Sequence, residues 1–391
     1  MKLLRLSEKM QNKDTQQRSP TIYYPIELEN NEYSGDLYGY FHEDSNAYNI
    51  VSYKKDNNSD LIIIGNIDVN ENNGNNLSLV IGKRQEGDLH FYVNNQLCEK
   101  KPYELLLNVF SRNTGIIETD FMLKKSVVIS GLGSVGSLIA LELARSGVGK
   151  FLLIDNDIID YHNICRHQCG VRDVGSYKVS AVEKRILDIN PYAKVTTASS
   201  IIEDVPKDIF EKFINPETLI IGCADNRQGD LYANTISNIY QIPFVSIGFW
   251  ERAFAGEIFY SIPGETPCYE CVFGGLQSEF SKRVSTTRRH YTNEPSLENI
   301  NFEPGISVDI GFITNIGIKL IIDLLNLANS DYTKRLLGEI SQFTLVCNTN
   351  NKLIGGRDAD LFSYPLQVTT SIKIDHHKNC SACQILKENL Q

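Results

Sequence analysis

The chain has 391 residues, 42% of them hydrophobic and 22% charged, a length that suggests two domains and a composition that can bury a sizeable core. Its net charge of −10 argues against a broad nucleic-acid-binding face, although a few local cations would suffice for a nucleotide. No apolar run approaches the roughly 18–20 residues needed to span a bilayer. Met1-Lys-Leu-Leu-Arg-Leu6 is too short and too soon polar for a secretory signal, so no membrane partner and a cytoplasmic location are expected.

Residues 1–20 are polar (Gln11-Asn-Lys-Asp-Thr-Gln-Gln-Arg-Ser-Pro20) and read as a disordered N-terminal segment. From Ile22 to about Val93 the pattern is β-like. Leu61-Ile-Ile-Ile64, Leu77-Ser-Leu-Val-Ile81 and Leu89-His-Phe-Tyr-Val93 are short β-branched or aromatic runs separated by Asn, Asp and Gly. A small β-rich accessory domain over 21–105 is expected, with no chemistry legible in it. The rest, 106–391, has another texture.

There the sequence predicts a strand at 126–130, a helix at 137–146 stopped by Gly147, and a strand at 151–154. A helix follows at 178–189, with Val179, Val182, Ile186 and Ile189 at helical spacing. Lys194-Val-Thr-Thr197, Leu219-Ile-Ile-Gly222 and Phe244-Val-Ser-Ile247 are strands with helices between them. Such alternation implies an α/β fold with a doubly wound, Rossmann-like, mostly parallel sheet. Beyond Trp250 come β pieces at 252–260, a loop-like stretch at 272–304, and a long apolar helix at about 306–329. Phe343–Cys347 and Leu366–Ile372 are strand-like.

Val127-Val-Ile-Ser130 runs into Gly131-Leu-Gly133-Ser-Val-Gly136, a glycine turn that opens a helix whose first N–H groups can face a phosphate. Asp155 ends the next apolar strand, where a ribose hydroxyl would sit. A plain dinucleotide site needs only those parts. Arg166, Lys178 and Asp225 are what a triphosphate and Mg²⁺ would add, and they point to ATP chemistry rather than hydride transfer.

Each has a plainer alternative. Arg166 could be a surface-loop arginine and Lys178 a solvated lysine, although a lysine opening a helix runs against the macrodipole preference. Asp225, at the carboxyl end of Leu219-Ile-Ile-Gly-Cys-Ala224, could hold Mg²⁺ or cap the helix starting near Arg227, a task Asn226 could equally perform.

Cysteine occurs nine times, an odd number, and includes Cys268-Tyr-Glu-Cys271 and Cys380-Ser-Ala-Cys383. Two such pairs in a long chain suit one tetrahedral Zn²⁺ better than a disulfide framework. Separated by over a hundred residues, they would clamp the tail to the body as a zinc-clamped C-terminal β region. Two unrelated reduced pairs are the alternative.

Over about 108–391 these residues resemble the ThiF/MoeB/HesA family, which includes the adenylation domains of ubiquitin-activating enzymes and the peptide-adenylating enzyme MccB. The likeness is carried by Ser111-Arg112-Asn113, Gly131–Gly136, Asp155-Asn-Asp157, Asn163-Ile-Cys-Arg166, Val174-Gly-Ser-Tyr-Lys178, Ala224-Asp225-Asn226 and both cysteine pairs. The resemblance implies a nucleotide-binding set in which Asp155 takes the ribose and Asn163, Arg166 and Lys178 the phosphates, with Asp157 and Asn226 alongside. It implies Mg²⁺ on Asp225 and a homodimer in which Arg112 reaches into the partner's active site. The implied reaction is attack by the C-terminal carboxylate of a ubiquitin-like protein or peptide on the α-phosphorus of ATP.

Two departures stand out. His167 occupies a position often held by Gln, and 272–304, where thioester-forming members usually carry their nucleophile, contains no cysteine. An adenylator serving sulfur transfer or conjugation, a peptide adenylator of the MccB type, and an ester-forming activating enzyme with Ser278, Ser281 or Ser285 as nucleophile all stay open. A non-catalytic scaffold or an oxidoreductase would leave Arg166, Lys178 and the cysteine pairs without a shared purpose.

Overall fold

A computed structural model describes residues 19–30, 32–53, 61–68, 79–224, 227–270 and 304–364. Period-two burial organises the first sheet. In Asp88–Val93, Leu89, Phe91 and Val93 point inward while Asp88, His90 and Tyr92 do not. Its strands are β1 (Thr21–Pro25), β2 (Gly35–His42), β3 (Ala47–Ser52), β4 (Ile62–Ile67), β5 (Val80–Gln85), β6 (Asp88–Val93), β7 (Gln96–Leu97) and β8 (Glu99–Tyr103), in the order β7-β6-β5-β4-β2-β3-β1-β8. The turns joining β5 to β6 and β6 to β7 are the two-residue pairs Glu86-Gly87 and Asn94-Asn95, all with positive φ, the geometry that matches strand twist in tight hairpins. Because β7 and β8 are separated only by Cys98 yet pair with opposite ends of the order, the sheet rolls around one core that includes Ile22, Tyr24, Ile50 and Phe91.

After α1 (Leu105–Asn108) and α2 (Thr119–Met122), the chain enters a second sheet. Its members are β9 (Ser126–Ser130), β10 (Lys150–Ile154), β11 (Lys194–Ala198), β12 (Thr218–Gly222), β13 (Phe244–Phe249), β14 (Ala255–Ser261) and β15 (Phe343–Cys347), ordered β11-β10-β9-β12-β13-β14-β15. The first five are parallel; β14 and β15 join antiparallel. Helices α3 (Ser134–Arg145), α4 (Lys178–Ile189), α5 (Lys207–Phe213), α6 (Arg227–Tyr240), α7 (Ser307–Leu325) and α8 (Lys352–Gly355) complete it. Val127 and Ile129 of β9 pack with α3, α4 and α7, whereas Val128 packs with α5 and α6. Burial on both faces explains the unbroken apolar runs of these strands.

In the second sheet and its helices, three boundaries differ from the sequence expectation by three residues or more. The first long helix begins at Ser134 rather than 137, because Gly136 lies inside its first turn, where a Cβ would come within 1.9 Å of the Gly131 carbonyl oxygen. Strand β14 begins at Ala255 rather than 252, since Arg252 and Ala253 adopt positive φ. The long apolar helix ends at Leu325, not 329, where Asp323 accepts the backbone N–H groups of Arg335, Leu336 and Leu337 and turns the chain back. The strand expected at 366–372 lies outside the described residues. Among the described residues no helix is long and apolar enough to cross a membrane.

Candidate active site

Strand order reverses at β9, which has β10 on one side and β12 on the other, so a crevice opens beyond the carboxyl ends of these three strands. The glycine turn follows β9 directly. Gly131 has φ +88°, and a Cβ there would fall 2.8 Å from the Cys223 carbonyl oxygen beyond β12. Gly133 is the N-cap of α3, and a Cβ there would meet nothing within 4 Å, which leaves room for a ligand against its backbone.

Asp155, just past β10, braces this turn. Its Oδ2 accepts the Leu132 N–H at 2.6 Å and its Oδ1 accepts the Asp157 N–H at 2.8 Å. Lys178, the first residue of α4, is 8% exposed and is therefore not a solvated lysine. Its Nζ stands 2.7 Å from Asp157 Oδ2 and 3.9 Å from Asp155 Oδ1. Those carboxylates explain how a cation is tolerated at a helix N-terminus.

The loop between β10 and α4 carries Asn163 and Arg166. Asn163 Oδ1 accepts the Asp160 N–H at 2.9 Å, and its carbonyl accepts the N–H groups of Arg166 and His167 at 3.0 and 2.8 Å. Asn163 thereby shapes the turn that presents Arg166. A Cβ added at Gly305 would lie 3.7 Å from Arg166 Nη1, which places the guanidinium beside the segment entering α7.

Asp225 and Asn226 lie outside the described residues, between Ala224 and the start of α6 at Arg227. Around that start is a buried polar socket. Arg227 pairs with Glu257 through both Nη atoms, at 2.8 and 2.9 Å, and donates to the Tyr269 hydroxyl at 2.9 Å. Tyr269 is fully buried against Phe244 and Phe259, and its N–H donates to Asn234 Oδ1 at 2.9 Å. Arg227 and Asn234 are seven positions apart, two turns along one face of α6. Sequence patterning carries no sign of this socket, which forms only where α6, β14 and the segment holding Tyr269 pack together.

Cys268 is half-buried, while Cys271, Cys380 and Cys383 lie outside the described residues, as do Ser278, Ser281 and Ser285. Among the described residues no group of three or more His, Cys, Asp or Glu side chains is placed to hold a metal. Arg112 is exposed, and the neighbouring Asn113 donates through Nδ2 to the Arg145 carbonyl at 2.8 Å. That carbonyl lies at the far end of the 12-residue α3 from the glycine turn, a separation of about 17 Å. Arg112 is thus not gathered into the crevice of its own chain.

His167, noted in the sequence only for standing where Gln is common, is buried with its ring against the glycine turn. Cys169 is also buried, and burial pushes its thiol up to about 11.

The family model described as "ThiF family" matches residues 109–349, more than half of the chain. Ubiquitin-like modifier-activating enzyme 5 of Aedes aegypti is 31% identical over 191 residues, which cover 46% of this chain and 47% of that protein. The Branchiostoma floridae protein of the same name is 30% identical over 208 residues, 49% of this chain and 50% of its own. The chain therefore spans about half the length of the curated relatives it matches. Among solved structures, E. coli MccB crystallised with ATP superposes with a TM-score of 0.42 at 22% identity, covering 56% of this chain and 59% of that one.

Proposed function

Because the chain belongs to the ThiF family, we propose that it is an ATP-dependent adenylyltransferase that activates the C-terminal carboxylate of a ubiquitin-like protein. The observation that carries this reading is the convergence of the Gly131–Gly136 turn, Asp155 and Lys178 at the switch point of the parallel sheet. The names of the curated relatives support the substrate class.

ATP would lie beyond the carboxyl ends of β9, β10 and β12. Asp155 would take the ribose, and the open face of Gly133 and the α3 N-terminus would take phosphate. Asn163, Arg166 and Lys178 would neutralise the β- and γ-phosphates, with Lys178 leaving Asp157 to do so. A carboxylate oxygen forms a bond to the α-phosphorus while the bond to the bridging oxygen of the β-phosphate breaks, and pyrophosphate departs. The carboxylate is already a competent nucleophile, so positioning and charge neutralisation matter more than a base. Mg²⁺ held by Asp225, with Asn226 beside it, would supply further charge neutralisation on the phosphates.

The same proposal makes residues 21–105 an accessory domain to an adenylation domain at 106–391. It places Zn²⁺ on Cys268, Cys271, Cys380 and Cys383, with Tyr269 anchoring Cys268 to the core. It also pairs two chains so that Arg112 of each serves the other's crevice. A second reading, adenylation of a peptide C-terminus, is favoured by the cysteine-free stretch 272–304, which suits a route whose product is the free adenylate.

ATP–pyrophosphate exchange tests the reading. Exchange is expected only with a protein or peptide bearing a free C-terminus, and Asp225→Ala should abolish it while leaving the circular dichroism unchanged. Normal exchange in that variant would remove Asp225 from the mechanism, and exchange blind to every such substrate would remove the activity.

A further inference from the structure

The His167 ring sits between two backbone groups. Its Nε2 is 2.7 Å from the Leu132 carbonyl oxygen, and its Nδ1 is 3.1 Å from the Cys169 nitrogen. The Cys169 N–H can only donate, so Nδ1 must be the acceptor. The ring proton then resides on Nε2 and is donated to Leu132. One neutral tautomer satisfies both contacts. An imidazolium would set a second N–H against the Cys169 N–H and break that side of the buckle.

Leu132 is the centre of the glycine turn, held at both ends. Its N–H goes to Asp155 and its carbonyl to His167. In a planar trans peptide the carbonyl and the following N–H point opposite ways, so anchoring the Leu132 carbonyl aims the Gly133 N–H away from His167. Gly133 is the N-cap of α3, the position a phosphate would approach. The charged groups facing the ring are Lys178 from α4, Asp155 beyond β10, and Asp173, itself paired with Arg185. Burial is the largest influence and holds the imidazole below its ordinary range, with Lys178 adding to it; the Leu132 carbonyl, Asp155 and Asp173 oppose.

We infer that neutral His167 positions the glycine turn for ATP and that protonation of the ring releases it, giving ATP binding an acid limb. The inference rests on the ATP reading above. Glutamine offers the same pair of functions, an amide N–H to donate and an oxygen to accept, without a titration. His167→Gln should therefore keep the buckle and lose the acid limb, and His167→Ala should lose the buckle at every pH.

Calorimetric titration of the full chain with Mg²⁺ and ATP at pH 7.5, 6.5 and 5.5 tests this. At pH 7.5, H167Q is expected to bind within about twofold of the unaltered chain and H167A about fivefold more weakly, the scale of one hydrogen bond. As the ring takes its proton toward pH 5.5, the unaltered chain should lose affinity that H167Q keeps, up to about fivefold, the scale of that bond when protonation is complete. Comparing the two chains cancels the titration of ATP itself. Parallel pH curves for the unaltered chain and H167Q, or full affinity in H167A, would overturn the inference while leaving the ATP site in place. No ATP binding by the unaltered chain would instead overturn the proposed function along with it. Ring ¹⁵N shifts of His167 give a readout that needs no nucleotide and no variant. The Nε2–H form is expected at pH 7.5, and an Nδ1–H form would overturn the assignment.

Discussion

The Lys178 ammonium stands 2.7 Å from Asp157 and 3.9 Å from Asp155 on a side chain only 10% exposed. Two residues that the sequence separates by more than twenty positions from this lysine thus share its charge at the mouth of one crevice. The pairing matters chemically because Asp157 is 64% exposed. An exposed carboxylate is a weak competitor for a cation that a polyphosphate would also attract.

Lys178→Ala is accordingly expected to lower ATP–pyrophosphate exchange by about 10²- to 10³-fold, the range for removing one charge-stabilising group. The fold should hold, since Asp155 retains the N–H groups of Leu132 and Asp157. Exchange within about twofold of the unaltered chain, a change too small for a transition-state contact, would reassign Lys178 to a structural ion pair.

The Arg112 loop is tied to the Arg145 end of α3, away from its own glycine turn. Mixing inactive Arg112→Ala chains with inactive Asp225→Ala chains should restore part of the activity through hybrid sites. Failure to complement in mixed dimers demonstrated by mass would place Arg112 outside catalysis or confine it to its own chain.

Arg227 faces Glu257, a carboxylate whose side chain is 3% exposed. Arg227→Met leaves that charge buried with Trp250 as a remaining donor, and a loss of about 3–5 kcal/mol is expected from such a broken pair. Denaturant unfolding should show the loss, and Arg227→Met with Glu257→Gln should recover part of it. A double variant no better than the single would mean that the pair is not the stabilising contact.

One zinc per chain is expected in protein purified without chelators. Chelation should lower the melting temperature rather than unfold the whole chain, because the cysteines join distant segments instead of forming a small module. Metal analysis without zinc would leave two independent reduced pairs.

Activation is expected to stop at the acyl-adenylate. A thioester needs a thiolate, and Cys169, held up near 11 by burial, does not supply one at neutral pH. Cys165 is exposed in the loop that carries Arg166 and is the described alternative. Non-reducing gels after incubation with ATP and substrate should show no reducible conjugate. A thiol-sensitive adduct lost in Cys165→Ala would overturn this, and a hydroxylamine-sensitive adduct on Ser278, Ser281 or Ser285 would establish an oxyester instead.

The sequence by itself determined the parallel sheet, because strands buried on both faces must be continuously apolar and the intervening helices must carry one apolar face. It also determined the glycine turn, since Gly131 and Gly136 stand where a side chain would strike the backbone. What it left undecided depends on contacts between segments remote in the chain. The sequence could not tell a solvated Lys178 from one enclosed by Asp155 and Asp157, nor show that His167 would close on Leu132 thirty-five positions earlier. The Arg227–Glu257–Tyr269 socket was equally hidden, because its members follow no single period and meet only when α6, β14 and the segment before Cys271 pack together. Local pattern reports burial; which buried polar groups satisfy one another is decided when tertiary packing brings each donor to its acceptor.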